Sequence, residues 1–217
     1  MSPPDLQRFD PALQPGLRLT WNDDVAFLTL EHPSGIPRLS RKILGTLIAT
    51  LNSFESTTLC AGVVITGSDR AFCAGAELEE IAALTSSETR AFAELGQSAM
   101  NRIARFRKPV AAAIRGYCIG GGFDLALSCH VRIAAPDASF AHRGASLGLL
   151  TGWGGTQRLA RLIGRARASE IFVTGRTITA KEAAQIRLLR RVVPSRELIS
   201  AAVQIIRGAT RTSRLQS

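Results

Sequence analysis

The hydrophobic positions along the chain alternate between short continuous runs and longer helical repeats. Continuous apolar runs lie within residues 61–67, 108–116 and 130–137, and each ends at a glycine or an aspartate. Runs of this kind are typical of strands that are buried on both faces of a parallel sheet. Apolar residues three or four apart follow residues 39–54 and 88–106, which predicts a helix over each. Strands that alternate with helices predict an α/β fold with a largely parallel sheet.

Turn and capping signals complete this pattern towards both ends of the chain. Residues 17–30 are typical of a hairpin, with two strands on either side of an Asn-Asp-Asp turn. Thr179 precedes a helical pattern and is a candidate N-cap. The Pro-rich residues 1–16 predict a flexible leader. Further helices are predicted within 120–127, 147–164, 165–175, 179–186 and 197–207, and further short strands within 138–142 and 189–194.

Composition narrows the class of protein. The chain has 217 residues, of which 46% are apolar and 20% are charged, as in ordinary globular domains. No stretch approaches 18 uninterrupted apolar residues, and the N-terminus lacks the pattern of a secretory signal. The four cysteines and three histidines lack the spacing of a metal site. We therefore expect a cytoplasmic protein with no membrane span, no bound metal, and cysteines buried as small apolar side chains.

The net charge of +10 raises the question of a nucleic-acid partner. It results from 27 basic and 17 acidic residues, and the arginines are concentrated in the second half of the chain at helix-like spacing. This placement is typical of solvated helix faces that leave room for an anion site. The chain has one tyrosine and two tryptophans, too few for a groove that combines basic and aromatic side chains. We expect no nucleic-acid partner.

Two glycine-containing loops interrupt the alternation in the same way. Residues 71–78, AFCAGAEL, and residues 116–125, GYCIGGGFDL, each follow a buried strand and precede a helix. The first turn of a helix has unpaired N–H donors, and glycine lets a ligand oxygen approach them closely. Two such loops can direct two N–H groups at one oxygen, as in an oxyanion hole. Alternatively, the glycines serve tight turns alone, and Asp124 is an acidic residue favoured by the dipole of a helical first turn.

Three stretches of the chain resemble the enoyl-CoA hydratase/isomerase (crotonase) superfamily. They are AFCAGAELEEI, KPVAAAIRGYCIGGGFDLALSCHVRIAAPDASFA and the segment that begins GGTQRLARLIG, and the similarity extends from Trp21 to Arg207. The resemblance implies a spiral of ββα turns around a parallel core. It also implies a coenzyme A thioester as the substrate, no separate cofactor, and assembly into a homotrimer or a dimer of trimers.

The resemblance further implies roles for individual residues. The amides of Ala76 and Gly121 would hold the thioester oxygen and stabilise enolate-like charge. Asp124 stands where the hydratases of the family have the first of two glutamates, so it is the expected acid–base residue. The substrate-binding positions implied in this way are Ala74, Gly75, Ala76, Leu78, Gly120, Gly121 and Gly144. Arg38 is a candidate for binding a coenzyme A phosphate, because Glu79 occupies a position that is often basic in the family.

One departure from the family concerns the second carboxylate. The second glutamate of the hydratases matches Gly144, which has no side chain, so one of the two acid–base groups is missing. His142, Arg143 and Ser146 are neighbours that could supply a different polar group. The alternative for His142 is that of a polar residue at the end of a strand.

A second departure concerns length. Members of the family continue into a C-terminal helical segment, whereas this sequence leads us to expect a core at 17–195 and a shortened segment at 196–217. The expected function is hydratase-like addition of water to a 2-enoyl-CoA, at a low rate because Gly144 has no carboxylate. One alternative is another reaction of the family that needs one carboxylate, such as decarboxylation or thioester hydrolysis. The other is an inactive member that binds acyl-CoA or a partner.

Overall fold

The computed structural model describes residues 15–144 and 148–214, and from residue 211 onward only the backbone. Ten strands and eight helices lie within these residues. The strands are β1 (Leu17–Asn22), β2 (Val25–Leu30), β3 (Gly62–Thr66), β4 (Ala71–Cys73), β5 (Val110–Ile114), β6 (Tyr117–Ile119), β7 (Val131–Ala134), β8 (Ser139–Ala141), β9 (Ile178–Thr179) and β10 (Arg191–Val192). The helices are α1 (Arg41–Glu55), α2 (Leu78–Ala82), α3 (Ser86–Ala104), α4 (Gly121–Ser128), α5 (Gly155–Ile163), α6 (Arg165–Thr174), α7 (Ala180–Gln185) and α8 (Leu198–Arg214).

The strands form two sheets. The larger has the order β1-β2-β3-β5-β7-β10, and all of its pairs are parallel except the β1–β2 hairpin. The smaller has the order β4-β6-β8-β9, with parallel pairs except between β8 and β9. The predicted α/β class with largely parallel pairing is therefore confirmed.

The chain passes between the two sheets in a regular way. The strands β3, β5 and β7 lie in the larger sheet, and each is followed directly by β4, β6 or β8 in the smaller sheet. A helix then follows before the next pair begins. The result is a spiral of ββα turns, as the resemblance implied, and it stacks the ends of β4 and β6 beside each other.

The core has two parts, one on each face of the larger sheet. The larger part fills the space between the two sheets and helices α1, α3 and α4. The smaller part lies beneath α8, which packs against β3, β5 and β7. The face of α8 that packs on the sheet carries Leu198, Ala201, Ala202, Val203 and Ile206. Burial of this apolar face, rather than helix propensity alone, stabilises a helix of this kind.

Most of the elements predicted from the sequence are present. The hairpin, the buried strands and the long helices lie within two or three residues of their predicted bounds, and the Thr179 hydroxyl accepts a hydrogen bond from the Glu182 amide as an N-cap. The sequence did not indicate β4, β6 and α2 as separate elements. Residues 1–14 of the predicted leader lie outside the described residues, and the proposed boundary at residue 195 stays a prediction. Among the helices that are described, none has the length and hydropathy to cross a membrane.

Candidate active site

The two glycine loops lie against each other because β4 and β6 are paired. Cys73 at the end of β4 is the register partner of Cys118 in β6, so the two chains leave the smaller sheet side by side. A Cβ atom on Gly75 would lie 3.1 Å from the Gly121 amide nitrogen. A side chain at Gly75 would therefore fill the space between the loops.

The three consecutive glycines meet three different local requirements. Gly120 has φ +55° and ψ −123°, a conformation that L-residues with side chains rarely adopt. A Cβ atom on Gly121 would overlap the indole of Trp153, and one on Gly122 would overlap the Cys73 carbonyl. Both a tight turn and close packing require glycine here. The interpretation of these glycines as turn residues is therefore compatible with their interpretation as residues that let a ligand approach the backbone.

Two backbone amides on these loops have no protein acceptor among the described residues. Leu39 N–H donates to the Gly75 carbonyl over 2.8 Å and Glu77 N–H donates to the Leu39 carbonyl over 3.1 Å, so the Ala76 amide between them points away from Leu39. Gly121 is the first residue of α4, and its N–H has no intrahelical acceptor. Both amides are free to bind a ligand.

A cavity of about 460 Å³ opens over these amides. All nine residues predicted for the site line it, namely Arg38, Ala74, Gly75, Ala76, Leu78, Gly120, Gly121, Asp124 and Gly144. Much of the remaining wall is apolar, with contributions from Ile81, Leu84, Phe92, Trp153 and Phe172. A concave, mostly apolar site with few polar groups is typical of small-molecule binding.

Asp124 is the carboxylate of this cavity. Its side chain lies in the first turn of α4 and is 1% exposed. Burial raises the pKa of Asp124 to about 7, although the Thr151 hydroxyl, which donates to Oδ2, and the positive charge of Arg158 both act to lower it. Gly155 leaves the space that Oδ1 occupies, since a Cβ atom there would overlap it. A carboxyl group with a pKa near neutrality can accept and release a proton under physiological conditions.

His142 lies next to Asp124 in the same wall. Its Nε2 is 3.4 Å from Asp124 Oδ1, and the imidazole is stacked between the rings of Phe123 and Phe172, at centroid distances of 5.0 and 4.8 Å. Burial lowers the pKa of His142 to about 4. The ring is therefore neutral at physiological pH. His142 directly follows the end of β8 and also lines the cavity, so its role as a substitute polar group stays a prediction.

The comparisons with known proteins agree with this geometry. A sequence profile of the enoyl-CoA hydratase/isomerase family matches residues 20–217. The chain belongs to the enoyl-CoA hydratase/isomerase family. A probable enoyl-CoA hydratase of Mycobacterium tuberculosis is 38% identical over 178 residues, which cover 82% of this chain and 68% of that relative. A short-chain-enoyl-CoA hydratase of Clostridium acetobutylicum is 35% identical over 182 residues, with coverages of 83% and 70%.

Solved structures of the family share the fold. An enoyl-CoA hydratase from Bacillus anthracis superposes with a TM-score of 0.85 at 35% identity, over 89% of this chain and 76% of that chain. Pseudomonas aeruginosa DspI superposes with a TM-score of 0.88 at 31% identity, over 94% and 77% of the respective chains. The chain thus shares the crotonase fold over most of its length and spans roughly seven tenths of the length of the relatives named above.

Gly144 is the position that the resemblance matches to the second glutamate of the hydratases. It lines the cavity, but a Cβ atom at this position would overlap the Leu149 carbonyl. The Leu149 amide donates to the Gly144 carbonyl over 2.8 Å, which holds the two backbones together. A side chain at residue 144 would therefore require the backbone at residue 149 to move. Ser146, one of the suggested substitutes, lies outside the described residues.

The two arginines considered for the site are both in the cavity wall. Arg38 is half-exposed, and its guanidinium is 3.1 Å from Glu77 Oε1. The guanidinium of Arg143 donates to the Thr177 hydroxyl over 3.2 Å. Glu79 is exposed at the start of α2. A phosphate near Arg38 would therefore compete with the Glu77 carboxylate for this cation.

Sequence reasoning missed three residues that shape this family member's site. Thr151 bonds Asp124, Trp153 covers Gly121, and Phe172 lies against His142. Trp153 stands directly before the Gly-Gly-Thr-Gln motif, so its position beside that motif was the available signal. For Thr151 and Phe172 the sequence offers no comparable signal.

Proposed function

We propose that this protein binds a coenzyme A thioester and catalyses a hydratase-type addition of water to a 2-enoyl-CoA. The observation that carries the proposal is the placement of two unpaired amides, Ala76 and Gly121, and one buried carboxyl group, Asp124, around one cavity. The names of the relatives support the same reaction class.

In this proposal the two amides form an oxyanion hole. The thioester oxygen would accept hydrogen bonds from Ala76 N–H and Gly121 N–H as negative charge develops on it during formation of the enolate. Gly121 is in the first turn of α4, and its N–H is among the unpaired donors there. The positive end of the helix dipole therefore also stabilises negative charge on the thioester oxygen. The apolar walls keep the local dielectric low, which strengthens these interactions.

Asp124 would carry the proton transfer. As a carboxylate it takes a proton from water while the water oxygen bonds to the β carbon of the substrate. The electrons of the double bond move into the thioester, and a proton returned to the α carbon completes the addition. We expect slow turnover compared with members that have two carboxylates, because general acid–base groups contribute roughly 10²–10⁴-fold each.

Hydration of crotonyl-CoA tests the proposal, measured by the loss of the conjugated enoyl thioester absorbance. The wild-type protein is expected to be slow but measurable, and Asp124→Asn is expected to reduce the rate roughly 10²–10⁴-fold. Unchanged turnover in Asp124→Asn would remove Asp124 from the mechanism. Calorimetry with coenzyme A and a non-reactive thioester supplies a second readout, and absence of binding would overturn the proposal as a whole.

The second candidate is a different reaction on the same enolate. It is favoured by the overlap with the Leu149 carbonyl that a side chain at Gly144 would meet, because that overlap stands against a second carboxylate there. Decarboxylation or thioester hydrolysis needs the oxyanion hole but only one acid–base group. Incubation with a panel of acyl-CoA thioesters, followed by mass spectrometry of the products, distinguishes these reactions from hydration. Binding without turnover of any thioester would instead indicate an inactive acyl-CoA-binding member.

The proposal includes a homotrimer, or a dimer of trimers, in the cytoplasm. The buried free cysteines, Cys60, Cys73, Cys118 and Cys129, fit a reducing compartment. The assembly follows from family membership alone. Light scattering coupled to size-exclusion chromatography tests it, since a monomer mass would overturn the trimer.

A further inference from the structure

Two buried polar atoms face each other in the cavity wall. Asp124 Oδ1 and His142 Nε2 lie 3.4 Å apart, at the outer limit of hydrogen-bond distance. Neither atom has a hydrogen-bond partner within the described part of the chain. The Asp124 and His142 side chains are 1% and 5% exposed, and both residues line the cavity. Unpaired buried polar atoms are costly, and here each is the nearest available partner of the other.

The surroundings of the pair leave few other groups that can exchange a proton with it. Thr151 donates to the other carboxylate oxygen, Oδ2, and Arg158 in α5 adds positive charge from a greater distance. The Cys118 thiol in β6 is also nearby, but burial raises its pKa and keeps it protonated. The imidazole also packs against the rings of Phe123 and Phe172, which cannot exchange a proton.

We propose that Asp124 and His142 act as one acid–base unit that holds a single exchangeable proton, with the imidazole as the hydrogen-bond partner of the Asp124 carboxyl group. The inference deepens the proposed function, on which its catalytic part rests. In it, His142 is a positioning residue that acts through Asp124. The carboxyl group exchanges protons with water and substrate, and the histidine sets where the proton of the pair lies.

Histidine suits this role because it can pair with both states of the carboxyl group. When Asp124 is ionised, Nε2–H donates to Oδ1. When the carboxyl group holds a proton on Oδ1, the imidazole hydrogen moves to Nδ1 and Nε2 accepts. The ionised pair thus holds the imidazole hydrogen alone, and the protonated pair holds that hydrogen and one on the carboxyl group. In both states Oδ1 and Nε2 are hydrogen-bonded to each other.

The proton balance of hydration closes with this unit alone. The ionised pair takes a proton from water as the carbon–oxygen bond forms at the β carbon. The π electrons of the double bond move into the thioester to give the enolate. The pair then releases the same proton to the α carbon as the enolate collapses. One water molecule is added, and the pair returns to its ionised state.

Nitrogen-15 NMR of the histidine rings tests the pair without any substrate. The chain has three histidines, so the His142 signal can be assigned by its loss in His142→Gln. We expect the His142 ring nitrogens to change shift with a midpoint near pH 7, as the proton of the pair is lost and the tautomer changes. In Asp124→Asn this step should disappear. A His142 signal that is flat from pH 5 to pH 9, or a step that survives in Asp124→Asn, would overturn the proposal.

The pH dependence of kcat/KM provides the catalytic test. His142→Phe keeps a ring between Phe123 and Phe172 but cannot donate a hydrogen bond to the ionised carboxyl group. The pKa of Asp124 should then rise further, and the acid limb of the profile should move up by about one pH unit. That shift lowers kcat/KM about tenfold at pH 6 and less than about twofold at pH 9. His142→Gln keeps an amide that can pair with the carboxyl group by rotation, so its profile should remain closer to that of the wild type.

His130→Gln is the matched control. His130 lies at the surface outside the cavity, with Nδ1 accepting from the Val110 amide, so its replacement should leave the acid limb in place. Equal loss of activity at every pH in His142→Phe would indicate a structural role and overturn the proposal. If the protein turns over no thioester, the NMR titration still decides whether the pair exists, so failure of the hydratase proposal and failure of the pair remain distinguishable.

Discussion

At the scale of single residues, the charge of Asp124 is set by opposing effects. Burial raises its pKa, while the Thr151 hydroxyl and the charge of Arg158 lower it. The balance of these effects brings the pKa of Asp124 to about 7, so both protonation states are populated near neutral pH. A carboxyl group in this range can serve as an acid and as a base in one reaction cycle.

Thr151→Val should raise the pKa of Asp124 further, because the hydroxyl stabilises the ionised carboxylate. The acid limb of kcat/KM is expected to move to higher pH by about one unit, with little change above pH 9. Thr46→Val makes the same substitution on α1, where the hydroxyl donates to the Lys42 carbonyl over 2.9 Å away from Asp124, and should leave the profile unchanged. A pH profile that is the same in Thr151→Val and wild type would show that this hydrogen bond does not set the charge of Asp124.

The resemblance assigned positions that all line one cavity, but the sequence did not indicate the contacts around them. The nine predicted positions line one cavity. Seven of them lie in the two glycine-containing loops, and the other two are Arg38 and Gly144. The contact between Asp124 and Thr151 joins residues 27 positions apart, and Thr151 lies in a loop whose path no local pattern specifies. The same holds for the burial of His142, which depends on Phe172 from α6. Such contacts follow from tertiary packing and not from residue type.

At the scale of elements, the sequence did not indicate the short strands β4 and β6, although it did predict β8 and β10. β4 and β6 have three residues each, too few to show a period of two, and they are held by pairing within the smaller sheet. The longer β3 and β5 have continuous apolar runs because both of their faces are covered, and these were predicted. The resemblance supplied the ββα spiral, which periodicity alone did not distinguish from other α/β folds.

The contact between α3 and Trp153 also belongs to this scale. Gly96 lies in the middle of α3, and a Cβ atom there would overlap the pyrrole side of the Trp153 indole. The same indole covers Gly121 and is tilted against Phe92, at a centroid distance of 5.6 Å. One side chain therefore joins α3 to the start of α4, where one of the two unpaired amides lies.

Gly96→Ala should displace the indole and destabilise the fold by about 1–3 kcal/mol, as overpacking of a filled core does. Gly45→Ala is the matched control, because Gly45 is also inside a helix but a Cβ atom there meets nothing within 4 Å. This second substitution should instead stabilise the protein by about 0.5–1 kcal/mol. Denaturant unfolding measures both, and equal effects of the two substitutions would contradict the packing role of Trp153.

At the scale of the whole molecule, the site and the stability of the fold depend on the same buried charge. The pKa of Asp124 is raised from 3.8 to about 7 in the folded protein, so between these values the folded state holds a proton that the unfolded chain has released. The free energy of unfolding contributed by this group therefore falls as the pH rises from about 4 to about 7. His142 acts in the opposite direction between about pH 4 and 6.5, because its pKa is lowered.

Asp124→Asn should therefore be more stable than the wild type at pH 8, by up to about 4 kcal/mol, because asparagine removes the buried negative charge. The gain should shrink as the pH falls and be mostly lost near pH 4, where the wild-type carboxyl group is protonated in the folded state and partly protonated in the unfolded chain. Both proteins retain His142, so the difference between them isolates the effect of Asp124. Thermal or urea unfolding at pH 4, 6 and 8 measures it, and a gain that is constant with pH would show that burial of charge is not its cause.

The backbone at Gly144 determines how easily this protein could acquire a second carboxylate at that position. Gly144→Glu restores the residue type but sets its Cβ atom against the Leu149 carbonyl, so the substitution alone should lower stability and leave hydration no faster. A directed-evolution experiment that selects for faster hydration would therefore find no benefit in that first step. We expect improved variants to rebuild the segment from 144 to 149 as a unit, or to retain Gly144 and adjust the residues around Asp124.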